Sequence, residues 1–132
     1  MWQTLRSLNW LAVAGAILIY YLLAIPWFAP FAFGPAWREA VGSAGDGVAA
    51  YVVPLFGAIA ATLAMAVLLK LTGGGVRLGV FVALCFSVTA VATDAVAPNQ
   101  ARPLVFFAIV GGYHLVGLTA VSAVLARFRP GR

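Results

Sequence analysis

The chain has 132 residues, of which 64% are hydrophobic and only 8% charged, and it carries a net charge of +5. Soluble domains place charge on about a quarter of their residues, and a domain this small exposes too much surface to hide so much apolar mass in a core. Water is excluded as the main solvent, and a single all-α integral membrane domain, a four-helix bundle spanning residues 1–132, is expected.

The basic residues stand singly at the ends of apolar runs, as topology signals do, rather than in the patch a nucleic-acid binder needs. Nucleic acid is therefore not an expected partner. Cys85 is the only cysteine and His114 the only histidine. An intrachain disulfide is impossible, and neither a metal cluster nor any other cofactor is expected.

After a short polar lead containing Arg6, the first predicted span covers about residues 10–28. That approaches the ~20 apolar residues needed to cross a hydrocarbon core. Trp10 and Trp27 bracket it, and Pro26 and Pro30 end it. It is too long for a signal-peptide core and lacks a small-residue cleavage site, so a retained anchor is expected. From Pro35 to Val41 the residues Trp37, Ala40 and Val41 recur at helical spacing, with Arg38 and Glu39 turned away. This predicts a two-turn interfacial helix between spans one and two, an irregular loop being the alternative. Residues 42–47 form a flexible turn in which Asp46 is a candidate cap for span two.

Span two, about 48–71, carries Pro54 and a small-residue stripe, Gly57, Ala60, Ala61 and Ala64, expected to face a neighbouring helix. The Gly73–Gly75 run lacks the Gly-Lys-Ser/Thr ending of a phosphate loop and reads as a hairpin. Span three, about 76–96, has a second stripe at Gly79, Ala83 and Ser87 and a more polar far end at Thr89, Thr93 and Asp94. Span four, about 104–126, contains His114. Four spans place both termini and the glycine hairpin on one side. That side holds Arg6, Lys70, Arg77, Arg127, Arg129 and Arg132, against Arg38 and Arg102 on the other. The positive-inside rule then puts both termini in the cytoplasm.

The pattern Trp27-x-x-Pro30-x-x-Phe33-Gly34-x-x-Trp37, after a span opening with Asn9-Trp10, resembles domain-of-unknown-function family 1761, and Gly112-Tyr113 is similar to a second family feature. The resemblance implies a four-span protein of the bacterial cytoplasmic membrane and supplies no activity. Phe28 and Ala29 stand where the resemblance implies a Tyr and a small hydroxyl residue, which puts any polar site shared there in doubt.

His114 lies about ten residues into span four, roughly 15 Å deep at 1.5 Å per residue. Gly111 and Gly117 flank it at i−3 and i+3, so its face is one a second helix can approach. Tyr20, Tyr21 and Ser87 fall at similar depth and are its candidate partners. Two readings stand: a neutral imidazole locking helices together, or an element of a proton relay. Asp94 with Thr93 and Arg102 forms a second candidate polar site near the outer face, read either as a boundary carboxylate, paired with Arg102 or solvated in the interface, or as a cation entry site with Thr89 and Thr93 below it. A nucleophile with a base, or two carboxylates flanking a cleft, cannot be assembled, so no enzyme is expected.

Two functions remain: a structural or accessory membrane component with a protein partner or a second copy of itself, and a minimal oligomeric carrier or channel using His114 or Asp94. In size the chain is similar to the small multidrug-resistance transporters, whose mechanism depends on a Glu in the first span. Span one here contains no acid.

Overall fold

The computed structural model describes residues 2–41, 48–95 and 100–128. Seven helices and no strands form among them: α1 (Trp2–Arg6), α2 (Trp10–Leu22), α3 (Ala24–Trp27), α4 (Gly34–Val41), α5 (Ala49–Thr72), α6 (Val76–Ala95) and α7 (Pro103–Arg127). Four stretches are long and apolar enough to cross a membrane: Trp10–Trp27, Tyr51–Thr72, Val76–Ala95 and Pro103–Arg127. Each lies within about one helical turn of the span the hydropathy predicts. The expected cap Asp46, the turn around it and the basic residues Arg129 and Arg132 lie outside the described residues.

The short polar lead before span one includes the short helix α1, which contacts α5. Asn9 then caps α2, its side chain accepting a hydrogen bond from the Ala12 amide at 3.2 Å. That bond satisfies one of the donors every helix start leaves free. At the other end of span one, Pro30 to Phe33 form turns, and Gly34 opens α4. Ala40 on α4 is fully buried while Arg38 and Glu39 are exposed, matching the periodicity of that segment.

Helix α7 is the hub. It packs on α2, α4, α5 and most extensively on α6, whereas α5 and α6 meet only sparsely despite being joined by a tight hairpin. Gly73 ends α5 at φ 66°, a left-handed conformation that glycine adopts without penalty. The Thr72 hydroxyl donates to the Leu68 carbonyl at 2.8 Å and accepts from the Gly74 amide at 3.1 Å, closing the turn.

The stripe on α6 is buried, and it continues at four-residue spacing from Gly79, Ala83 and Ser87 through Val91 to Ala95. A Cβ at Gly79 would overlap the Ser122 side chain, so the α6–α7 contact depends on its absence. The stripe expected on span two is a different matter. Gly57, Ala60 and Ala64 are exposed, only Ala61 of the stripe packs against the core, and the buried face of α5 is Ala58, Thr62, Met65, Ala66 and Leu69.

Gly79→Val should overpack the α6–α7 seam at a cost of about 1–3 kcal/mol. Ala64→Leu on the exposed face of α5 should leave stability unchanged. Thermal melts of both variants in one detergent check this, and equal loss in both would contradict the assignment of faces.

Candidate functional site

Tyr20, on α2, is 2% exposed, and its ring lies against α7 at Gly117, where an added Cβ would overlap it. Glycine at this position is what lets a full tyrosine ring reach the facing helix. From there the Tyr20 hydroxyl bonds His114 Nδ1, one helical turn away on α7. A phenol O–H is a stronger acid than a neutral imidazole N–H, and an imidazole nitrogen is the better acceptor, so we assign the hydroxyl as donor and Nδ1 as acceptor. A neutral imidazole then carries its proton on Nε2.

Tyr113 completes the arrangement from the same helix. Its ring stacks on Tyr20 with centroids 5.4 Å apart and an interplanar angle of 23°, and its hydroxyl donates to the Tyr20 carbonyl at 2.8 Å. Phe86 on α6 meets the imidazole edge-on, with centroids 5.5 Å apart. A cavity of about 100 Å³ sits on this floor, bounded by Tyr20, Tyr113 and His114 below and by Pro54, Gly57, Ala58 and Phe86 around it. Pro54, Gly57 and Phe86 are exposed, so the cavity opens sideways between α5 and α6, where those helices barely touch.

Of the three candidate partners of His114, only Tyr20 reaches it. Tyr21 packs at the edge of the same core but turns its hydroxyl to α5, donating to the Tyr51 carbonyl at 3.1 Å. The Ser87 hydroxyl turns back on its own helix, donating to the Ala83 carbonyl at 2.7 Å. Depth arithmetic places residues at a height but not around a helix, and here rotation decided. Phe86, adjacent to Ser87, takes the position beside the imidazole.

The second candidate site does not assemble. Arg102 pairs with Glu39 at 2.9 Å, not with Asp94, because the Ala40 carbonyl accepts the Ala101 and Arg102 amides at 2.8 and 3.3 Å and brings Arg102 beside α4. Thr89, Thr93 and Asp94 are all exposed, and no group of metal-ligating side chains occurs among the described residues.

The motif residues converge on a packed corner next to this site. Trp27 Nε1 donates to the Ile109 carbonyl at 3.0 Å, and its ring packs against Phe33 at 4.9 Å between centroids. Phe28 contacts both Trp37 and Tyr113 at 5.3 and 5.6 Å. A Cβ on Gly34 would strike the Phe28 and Ala29 carbonyls, and one on Gly112 would press on Trp27 at 3.3 Å. Pro30 is exposed and shapes the turn. Phe28 is thus held among aromatic rings, with no polar group asked of it. Sequence reading missed Thr62, which is fully buried on α5 with its hydroxyl unpaired. A threonine inside an otherwise apolar period was the only available signal.

Gly117→Ala should push the Tyr20 ring off α7 and cost about 1–3 kcal/mol. Gly111→Ala, where an added Cβ meets nothing within 4 Å, should be neutral or stabilise by up to ~1 kcal/mol through helix propensity. Thermal melting of the pair in detergent checks this, and the reverse order would place Tyr20 elsewhere.

Among curated proteins and among solved structures, none matches this chain. Residues 11–126 match the family described as Protein of unknown function (DUF1761), and the chain belongs to that family.

Proposed function

We propose that this chain is an accessory component of the bacterial cytoplasmic membrane, spanning it four times with both termini in the cytoplasm, and that it works by associating with another membrane protein or with further copies of itself. The observation that carries this reading is how little of the spans the chain covers for itself. Only 22% to 39% of each is buried, and large apolar residues such as Leu11 and Leu104, both 84% exposed, face outward. Apolar surface of that extent needs lipid or protein against it. On α5 the outward face includes Gly57, Ala60 and Ala64, which permit close approach of a second helix.

The intramembrane polar groups support a packing role over catalysis. Tyr20, Tyr113, Ser87, Ser122 and Trp27 each bond a group within the chain. What remains is no set of nucleophile, base and charge stabiliser. The basic residues concentrated at the hairpin and the termini support the orientation. A second reading, a minimal oligomeric carrier, is favoured by one observation, the cavity that reaches His114. Asp94, exposed on α6, is not among the residues that line that cavity.

Purification in mild detergent followed by mass spectrometry should recover a stoichiometric membrane partner or a defined homo-oligomer. A lone chain that carries a proton-coupled flux in vesicles, lost in His114→Gln, would replace this reading with the carrier. In a packing role His114→Gln keeps an acceptor for the Tyr20 hydroxyl and should preserve stability, while His114→Leu strands that hydroxyl at a cost of about 1–3 kcal/mol. For topology, Arg38→Cys and Arg77→Cys in a Cys85→Ala background should react with impermeant reagents from opposite sides, and labelling of both from one side would refute the orientation.

A further inference from the structure

We propose that the lateral slot between α5 and α6 binds a neutral, bilayer-dissolved ring bearing a carbonyl, with the His114 Nε2–H as its hydrogen-bond donor. This rests on the membrane reading but not on the identity of any protein partner.

The polarity of the floor selects the ligand's functional group. Tyr20 spends its proton on Nδ1, and Tyr113 spends its own on the Tyr20 carbonyl. The imidazole is left with one donor, Nε2–H, for which no acceptor is found among the described residues. In hydrocarbon an unmet donor is costly, and there is no bulk water to meet it. A carbonyl oxygen on a membrane solute is a complementary acceptor.

The walls select its shape and charge. Aromatic rings from Tyr20, Tyr113 and Phe86 meet the space, and Gly57 presents backbone without a side chain. At about 100 Å³ the space is smaller than the ~150 Å³ apolar cavity that takes up benzene, so it admits the carbonyl-bearing edge of a ring while the rest of the ring and any tail stay in the lateral opening. No charged residue lines the slot, and an ion would pay for desolvation with nothing to offset it. Entry is sideways, past exposed Pro54, Gly57 and Phe86, from the phase in which such a solute dissolves.

Because His114 is the only histidine, every imidazole resonance in the protein is its own. The full chain, ring-¹⁵N-labelled at histidine and placed in phosphatidylcholine nanodiscs, is titrated with tetramethyl-1,4-benzoquinone and separately with 1,2,4,5-tetramethylbenzene, which has a similar ring but no carbonyl. The quinone should move the Nε2 resonance saturably while Nδ1 stays bonded to Tyr20, and the hydrocarbon should not move it. Gly57→Leu, which fills the slot from a position with no neighbour to clash with, should abolish the response while keeping the Nδ1 resonance. An equal response to both solutes would overturn carbonyl recognition, and an undiminished one in folded Gly57→Leu would overturn the location. No saturable response in the unsubstituted chain would overturn the proposal and leave the accessory reading standing. Failure of the chain to enter nanodiscs at all would overturn both.

Discussion

The Tyr20 hydroxyl finds its hydrogen-bond partner on another helix, at His114. Two serines settle within their own helix instead. Ser87 returns to Ala83, and Ser122 to Thr119. Those bonds cost the fold nothing and specify nothing about which helix lies beside which. The Tyr20–His114 bond does specify it, because only α2 against α7 at one height and one rotation brings the two together. Apolar contact has no such power in lipid, where a leucine is as content against an acyl chain as against another helix. Gly117 is the steric half of the same constraint, since the bond exists only where the tyrosine ring can lie on bare backbone.

The spans were legible because hydropathy and length report directly on the solvent. The α6 stripe was legible too, since Gly79, Ala83 and Ser87 sit at a helical period with nothing large among them. The α5 stripe was equally regular, yet Gly57, Ala60 and Ala64 face outward and only Ala61 packs inward. Small residues say that a helix can be approached closely, not that this chain supplies the approaching helix. Partner choice failed in the same way. Tyr20 and Tyr21 are adjacent and equally deep, yet about 100° of helical rotation separates them, and only the packing at Gly117 tells which one turns to α7. Arg102 was paired with Asp94 by proximity in sequence, whereas the chain returning through Ala101 delivers it to Glu39.

The motif at the end of span one is best understood as a device for ending a helix against a neighbour. Pro30 and the turn that follows stop the chain from continuing straight, and Gly34 lets it fold back over the carbonyls of Phe28 and Ala29. Trp27 then spans the gap to α7, where Gly112 leaves room for its ring and the Ile109 carbonyl takes its proton. Tryptophan and glycine are separated by more than eighty positions and form one contact. An aromatic Phe28 suits this corner, because its ring fills the space between Trp37 and Tyr113.

Helix α7 is consequently held at three heights by bonds that differ in kind. At its first turns the Ala101 and Arg102 amides meet the Ala40 carbonyl, and the accompanying Arg102–Glu39 pair, 61% exposed on both sides, adds at most about 1 kcal/mol. In the middle stand Trp27 and Tyr20. At its far end Asn9 Nδ2 donates to the Phe128 carbonyl at 3.0 Å while Asn9 Oδ1 caps α2, so one side chain serves the start of one helix and the end of another. Backbone ties at both ends fix the axial register that the central pair requires. A slip of one residue along α7 would carry His114 about 1.5 Å past Tyr20 and turn it by roughly 100°, breaking the bond. The donor at the floor of the slot is therefore held in place by contacts along the whole length of the helix that bears it.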